Sequence, residues 1–562
     1  LPRFPPHPSF GLMRIARFAL ALLLAAASAS GQQVSAKNDA SLQRMWRLGM
    51  DSSHLESLAY SLIDSIGPRL TGSPALLRAS DWILKTYSSW GIDSRREQFG
   101  TWRGWRRGWS HVDLVAPRVR SLEATMLAGS PGTRGQTLSA EAIVLPKFRD
   151  SLEFLRWLPL ARGKIVLLSP SWPACRPSED WMRWATPPSL ARIDSAMATT
   201  RREWSAEVDA QGRVDSARLY RGTGYNLSPR GTGMLGLRLE KAGVAAMALS
   251  QPKLTAFPDP GAASTGRGTG GWGTMEVYET YNRTAPAVAI SCEDYDLVFA
   301  LAEHGAKPIV RLDLDASALG EQPAFNTLAE IKGHDRPNEY IVLSGHLDSW
   351  DGASGATDNG TATVMVMEAM RILSLAYPHP KRTIIAAHWA GEEQHLVGSL
   401  AFSEDHPEIM SGIQAVFNQD NGTGRVQEIY AAALPDIARH LRSWYERLPA
   451  FYTDSVSPNV VKWTFKDEGP RTGGTDGAVF SCKGAPAFFL YSLDWNYFAY
   501  TWHSNRDTYD KIVFDDLRHN ATLLAMLVYA ASEDPEFISR RRSAVTWPAT
   551  CGTAPRRTRP LW

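Results

Sequence analysis

The chain has 562 residues, 44% hydrophobic and 21% charged, with a net charge of +2. That length exceeds one ordinary core, so two domains are expected, and the near balance of charge excludes a general electrostatic case for nucleic acid or a strongly acidic partner. Four cysteines (Cys175, Cys292, Cys482 and Cys551) stand far apart without C-x-x-C spacing. This excludes a zinc knuckle or redox dithiol, and leaves free thiols or any of three disulfide pairings open.

The N-terminus reads as a processing segment. Met13-Arg-Ile-Ala-Arg17 is basic, Phe18 to Ala27 is apolar but too short to cross a bilayer, and Ala27-Ser28-Ala29 fits an A-x-A cleavage site. Residues 1–31 are therefore expected to be upstream residues plus a secretory signal, with an N-terminal membrane anchor as the competing reading. The expectation is a secreted or periplasmic protein with no stable membrane insertion after cleavage.

Residues 38–100 read as helices and a strand. Leu55 to Ile66 has helical spacing and stops at Gly67-Pro68, Ser80 to Trp90 is a second amphipathic helix, and Arg95 to Phe99 is strand-like. The basic, aromatic run Thr101 to Trp109 could stack bases, but export and neutral charge favour a strand or loop that packs its Trp faces.

From about 116 to 318, short strand-like runs (Ala142 to Leu145, Lys164 to Leu168, Ala287 to Ile290) alternate with Pro-, Gly- and Ser-rich stretches. This segment is expected to be a mostly β insert. Gly266 to Gly273 lacks the Gly-Lys-Ser/Thr ending of a phosphate loop and reads as a plain loop.

From Phe325 an α/β rhythm begins. Strands are expected at Ile341–Ser344, Thr383–Ala387, Ala415–Phe417 and Ala487–Tyr491. Helices are expected at Thr361–Leu375, Pro435–Arg447 and Phe514–Ala531, giving a mixed sheet between helical layers. The catalytic unit is placed at 38–115 and 319–540, and residues 541–562 are expected to be a disordered basic tail.

Acidic and imidazole groups recur at the strand ends. His346 closes an apolar run, Asp348 follows, and Asp358 stands where a helix begins. Glu392 and Glu393 follow the next strand, Asp420 ends a third, and His503 lies in a polar stretch with Asp507. Alone, each reads more readily as a cap or a solvated side chain. Together they supply the inventory of a two-metal hydrolytic site: two His, three carboxylates and a spare Glu. Adjacent carboxylates point in different directions, so one can bind a metal while the other faces a water. HExxH is absent, and no G-x-S-x-G elbow supports a serine nucleophile.

The order His-x-Asp, Asp-Asn-Gly, Gly391-Glu-Glu-Gln-His-Leu-Val-Gly-Ser399, strand-end Asp and His-Ser-x-x-Asp-Thr resembles the M28 zinc exopeptidases, in their secreted, carboxypeptidase Q-like branch. The resemblance covers most of 325–535 and weakly 38–115. It departs from the family at Asn421-Gly422, where many relatives are apolar, and at Gln394-His395, where the family varies.

The resemblance implies a mixed α/β zinc exopeptidase fold with a protease-associated-like insert. It further implies two Zn2+ ions, with Asp358 bridging, His346 and Asp420 on one metal, and Glu393 and His503 on the other. Glu392 would be the general base, Asp348 would orient the His346 imidazole, and Asp507 would act similarly near His503. The expected activity is hydrolysis of terminal peptide bonds, as aminopeptidase or dipeptidase. The alternatives are a carboxypeptidase on the same site, a non-catalytic relative, or a one-zinc acyltransferase like glutaminyl cyclase. Peptides are the expected substrates, no nucleic acid is expected, and a homodimer stays open.

Overall fold

The structure is a computed structural model describing residues 39–146, 148, 151–204, 234–250, 279–544, 546–548 and 551–552. The expected signal segment and the Gly266–Gly273 loop lie outside the described residues.

The strands in chain order are β1 (Asp93–Ala116), β2 (Arg120–Ser121), β3 (Ala124–Met126), β4 (Leu138–Val144), β5 (Ile165–Leu167), β6 (Ala246–Leu249) and β7 (Ala287–Ile290). They continue as β8 (Ile309–Ile331), β9 (Arg336–His346), β10 (Arg382–Trp389), β11 (Ile413–Asn418), β12 (Val426–Ala432), β13 (Lys462–Lys466) and β14 (Ala487–Ser492).

The catalytic half is a mixed sheet in the order β13-β12-β14-β11-β9-β10-β8. Its centre, β10-β9-β11-β14, is parallel, and β8 and β12 join antiparallel. Parallel strands need crossover helices, which bury both faces of the sheet. The period-2 alternation of β9 shows this directly. Ile341 and Leu343 face one core with the helices Thr361–Ala376 and Phe514–Glu533, while Val342 faces the other with Phe402 and Phe480.

From β9 the chain passes through helix Thr361–Ala376 to β10 on one side. From β10 it passes through helices Val397–Asp405 and Pro407–Gly412 to β11 on the other. That divergence makes a switch point, and it opens a crevice beyond the carboxyl ends of these strands.

The aromatic run 101–109 is strand, as one of the two expectations held. Trp102 and Trp105 are buried while Trp109 is exposed. β1 pairs with β8 from Asp93↔Glu330 to Ala116↔Ile309, with bulges at four points. This long ribbon carries the chain from the catalytic sheet into the segment around β4–β7. There β4, β5, β6 and β7 are parallel, with separate apolar clusters on their two faces.

The mostly β expectation for 116–318 is corrected. Among its described residues helix exceeds strand, chiefly through Pro187–Trp204, Met234–Ala242 and Cys292–Glu303. The three- and four-residue parallel strands require such crossovers. The Arg-, Ser- and Thr-rich turns of Pro187–Trp204 gave them little apolar period to read.

The tail also differs from the expectation of disorder from 541. Cys551 is bonded to Cys482, Arg542 stacks on Trp547 at 4.1 Å, and Ser543 N donates to Ala433 O. These are isolated anchors, which leave no periodic trace in a sequence. The second disulfide joins Cys175 to Cys292.

Candidate active site

The site forms where β9, β10 and β11 end side by side. His346 is the last residue of β9, and the Gly-rich loop 347–355 carries the chain round to Asp358. Glu392 and Glu393 occupy the turn after β10, and Asp420 lies two residues beyond β11. His503 arrives from the far loop with φ of 54°, its ring stacked on Trp502 at 3.8 Å.

All five expected ligands and the expected base come together. Asp358 stands between the two imidazoles: its Oδ1 is 3.2 Å from His346 Nε2, and its Oδ2 is 3.3 Å from His503 Nε2. His346 Nε2 is also 3.2 Å from Asp420 Oδ1, and His503 Nε2 is 2.9 Å from Glu393 Oε2. Two overlapping groups of close ligand atoms result, His346 with Asp358 and Glu393, and His346 with Glu392 and Asp420. These groups do not divide the ligands as the contact pairs do. Each contact pair joins one imidazole to one private carboxylate and one oxygen of Asp358.

The electrostatics are those of a crowded anionic site. Burial raises the Glu392 carboxyl well above its usual range, with Asp420, Glu393 and Asp476 repelling its charge and His346 opposing. Burial raises Glu393 likewise, helped by Asp358. Burial pulls His346 down, but Asp420, Asp348 and Asp358 outweigh it and hold the imidazole well above its ordinary value. Carboxylates packed this closely call for a compensating cation. The N and O donor set suits zinc.

The surrounding scaffold is more specific than the sequence suggested. His346 Nδ1 lies 2.9 Å from the main-chain oxygen of Asp348, and the Asp348 carboxylate is 3.7 Å away. That carboxylate instead accepts from Thr71 Oγ1 at 3.1 Å, from Glu392 N at 3.2 Å and from Glu393 N at 3.3 Å. It therefore sets the turn that presents both glutamates. Asp507 accepts from the Thr357 and Asp358 amides at 2.7 and 3.0 Å, so it braces the Asp358 loop rather than His503.

Arg69, absent from the sequence reading, is wholly buried and clasps both ends of the 347–355 loop. Its guanidinium donates to Leu347 O at 2.7 Å, Ser354 O at 2.8 Å and Gly355 O at 2.7 Å. Its only sequence signal is an Arg directly after the Gly67-Pro68 helix stop. Arg107 pairs bidentately with Asp351 on the same loop, at 2.9 and 2.7 Å, while its Nη1 reaches Thr125 in β3. Nothing local in the sequence links those positions.

These ligand-bearing strand ends open on a cavity of about 1050 Å³. Residues 326–528 match Peptidase family M28, and they contain every residue of the ligand cluster. That segment is an M28 peptidase unit. The protein that carries it is a metallo-exopeptidase.

Rat (Rattus norvegicus) carboxypeptidase Q is 25% identical over 479 residues, covering 85% of each chain. Among solved structures, a peptidase M28 precursor from Shewanella amazonensis SB2B superposes with a TM-score of 0.59 at 22% identity, covering 89% of this chain and 97% of that one. A zinc aminopeptidase from Bacillus subtilis gives 0.51 at 18%, covering 86% and 95%. The chain shares the fold of these two structures. Among the described residues no helix is long and apolar enough to cross a membrane.

Proposed function

We propose that this M28 peptidase is an extracytoplasmic dinuclear zinc exopeptidase of the aminopeptidase or dipeptidase type. The observation that carries the reading is Asp358, whose two carboxylate oxygens face two different imidazoles, each with its own second carboxylate. His346, Asp420 and Asp358 would hold one zinc ion, and His503, Glu393 and Asp358 the other. Two zinc ions held there would supply Lewis acidity and acidify a bound water towards neutrality.

The chain's own groups do the rest. Glu392 lies beside this cluster, partly open to the cavity, and belongs to neither His–carboxylate pair. Its carboxylate accepts the proton of the attacking water and returns it to the nitrogen of the leaving amine. Asp348 fixes the turn that separates the roles of Glu392 and Glu393, and Arg69 and Asp507 hold the loop that brings Asp358 opposite His346. Residues 116–318 fit a protease-associated-like module joined by the β1–β8 ribbon, and the two disulfides fit an oxidising compartment.

The test is Glu392→Gln. The variant is expected to fold and bind two zinc ions per chain while kcat on dipeptides falls by roughly 10²–10⁴. A variant with full turnover, or a wild type indifferent to chelator, refutes the assignment.

A further inference from the structure

The two imidazoles of the cluster are held in unlike ways. His346 ends a strand laddered to β10 and β11, whereas His503 lies in turns between the short helical pieces Tyr497–Thr501 and Tyr509–Lys511. A metal ligand has to be held within about 0.5 Å of its working position, and loops supply that less precisely than strands do. The stretch 503–507 is gripped from outside its own loop. Glu123 Oε1, in the segment 116–318, accepts from Arg506 Nη2 at 2.6 Å and from Asn505 Nδ2 at 3.3 Å.

That carboxylate stands on a fixed backbone. Glu123 N donates to Asp294 Oδ2 at 2.7 Å, and Glu123 O accepts from Ser291 N at 2.9 Å. Asp294 is buried, pairs with Arg120, and lies in the first turn of helix Cys292–Glu303, whose first residue is bonded to Cys175. Just beyond Glu123, Thr125 Oγ1 and Met126 O accept from Arg107 Nη1 at 3.0 and 2.8 Å. The same guanidinium pairs with Asp351 on the loop that leads to Asp358. One short edge of the segment thus reaches both loops that bring ligands to the second half-site: His503 through Arg506, and Asp358 through Arg107 and Asp351.

Resting on the dinuclear reading above, we infer that Glu123 is a positioning residue for His503, and that the docked segment 116–318 sets the affinity of the zinc ion shared by His503, Glu393 and Asp358. The His346–Asp420 half-site is built on strand ends, so loosening Glu123 frees one metal preferentially. An exposed ion pair contributes little by itself, and Arg506 and Glu123 are 31% and 41% exposed. The effect is accordingly several-fold, and it falls on one ion because only one imidazole rides on the tethered loop.

The experiment is stepwise removal of zinc by a competing chelator from the full-length two-zinc protein, which reads a dissociation constant for each ion. Glu123→Asp keeps the charge and shortens the reach, so it separates the contact from the general field of a carboxylate. It is expected to weaken one ion by roughly 3–10-fold, to leave the other within about twofold, and to speed amide hydrogen exchange in 503–507. Glu123→Lys sets two cations against each other and is expected to lose more. The double variant Glu123→Lys/Arg506→Glu restores the pair and should recover most of that loss.

Both constants unchanged in Glu123→Asp and Glu123→Lys, both ions loosened equally, or a double variant no better than Glu123→Lys would each overturn the inference. A wild type that binds a single zinc ion defeats the dinuclear reading together with this inference, whereas a two-zinc wild type indifferent to Glu123 defeats the role of Glu123 alone.

Discussion

Asp348→Asn isolates the positioning of the glutamate turn from the metal ligands themselves. The substitution keeps shape but removes charge and one acceptor. With the amide oxygen placed at the former Oδ2, Thr71 and Glu393 N keep their bonds, and the NH2 group then faces Glu392 N across 3.2 Å, donor against donor. The side chain is fully buried, so water cannot mend the contact. Losing a charge-assisted bond and leaving a buried amide unpaired costs about 2–4 kcal/mol. Removing a negative charge near the cluster weakens cation binding in the same direction. Zinc affinity, measured by chelator competition, is expected to fall about 10–100-fold, with kcat/KM falling alongside at limiting metal. Zinc affinity within threefold of wild type, with kcat/KM unchanged, would show that the turn is held by something else.

Three further outcomes follow from the same contacts. Arg69→Met leaves the carbonyls of Leu347 and Ser354 without the arginine's donors and leaves Gly355 O with the Gly360 amide alone. The denaturant midpoint should therefore drop by the equivalent of about 3–5 kcal/mol, and an unchanged midpoint contradicts the clasp. Burial lowers the His388 imidazole from 6.5 to about 3, with Nε2 2.8 Å from the Tyr87 hydroxyl. The unfolded chain then binds the extra proton between these values, so the stability from neutral His388 is full above pH 6.5 and is lost as pH falls. The loss at pH 4 is about 3 kcal/mol, and His388→Gln should flatten that slope in acid-unfolding curves. Reducing Cys482–Cys551, which closes a separation of 69 residues, should cost about 4 kcal/mol by the chain-entropy estimate and free the 546–552 segment to proteolysis.

The strand-end ligands were legible because parallel strands present their carboxyl ends together. His346, Glu393 and Asp420 each follow an apolar β-branched run, and the runs are neighbours in the sheet. The expected helices at 361–375 and 514–531 lie within one or two residues of the observed ones, since each buries a long apolar face. The strands at 426–432 and 462–466 escaped notice. β13 is a five-residue edge strand and only half-buried, and β12 beside it runs from the polar pair Gln427-Glu428 into a continuous apolar stretch, so their sequences carry little alternation.

By itself, the sequence determined the α/β class, the order of the ligands and the family resemblance, because those depend on local pattern and spacing. Only the tertiary structure decided what each second partner does. Asp348 sets the glutamate turn, Asp507 braces Asp358, Arg69 clasps a loop 278 to 286 residues away, and the four cysteines pair as 175–292 and 482–551. The physical reason is common to all of them. A buried carboxylate, guanidinium or thiol is satisfied by whichever group packing brings within about 3 Å, and sequence separation places no limit on that partner.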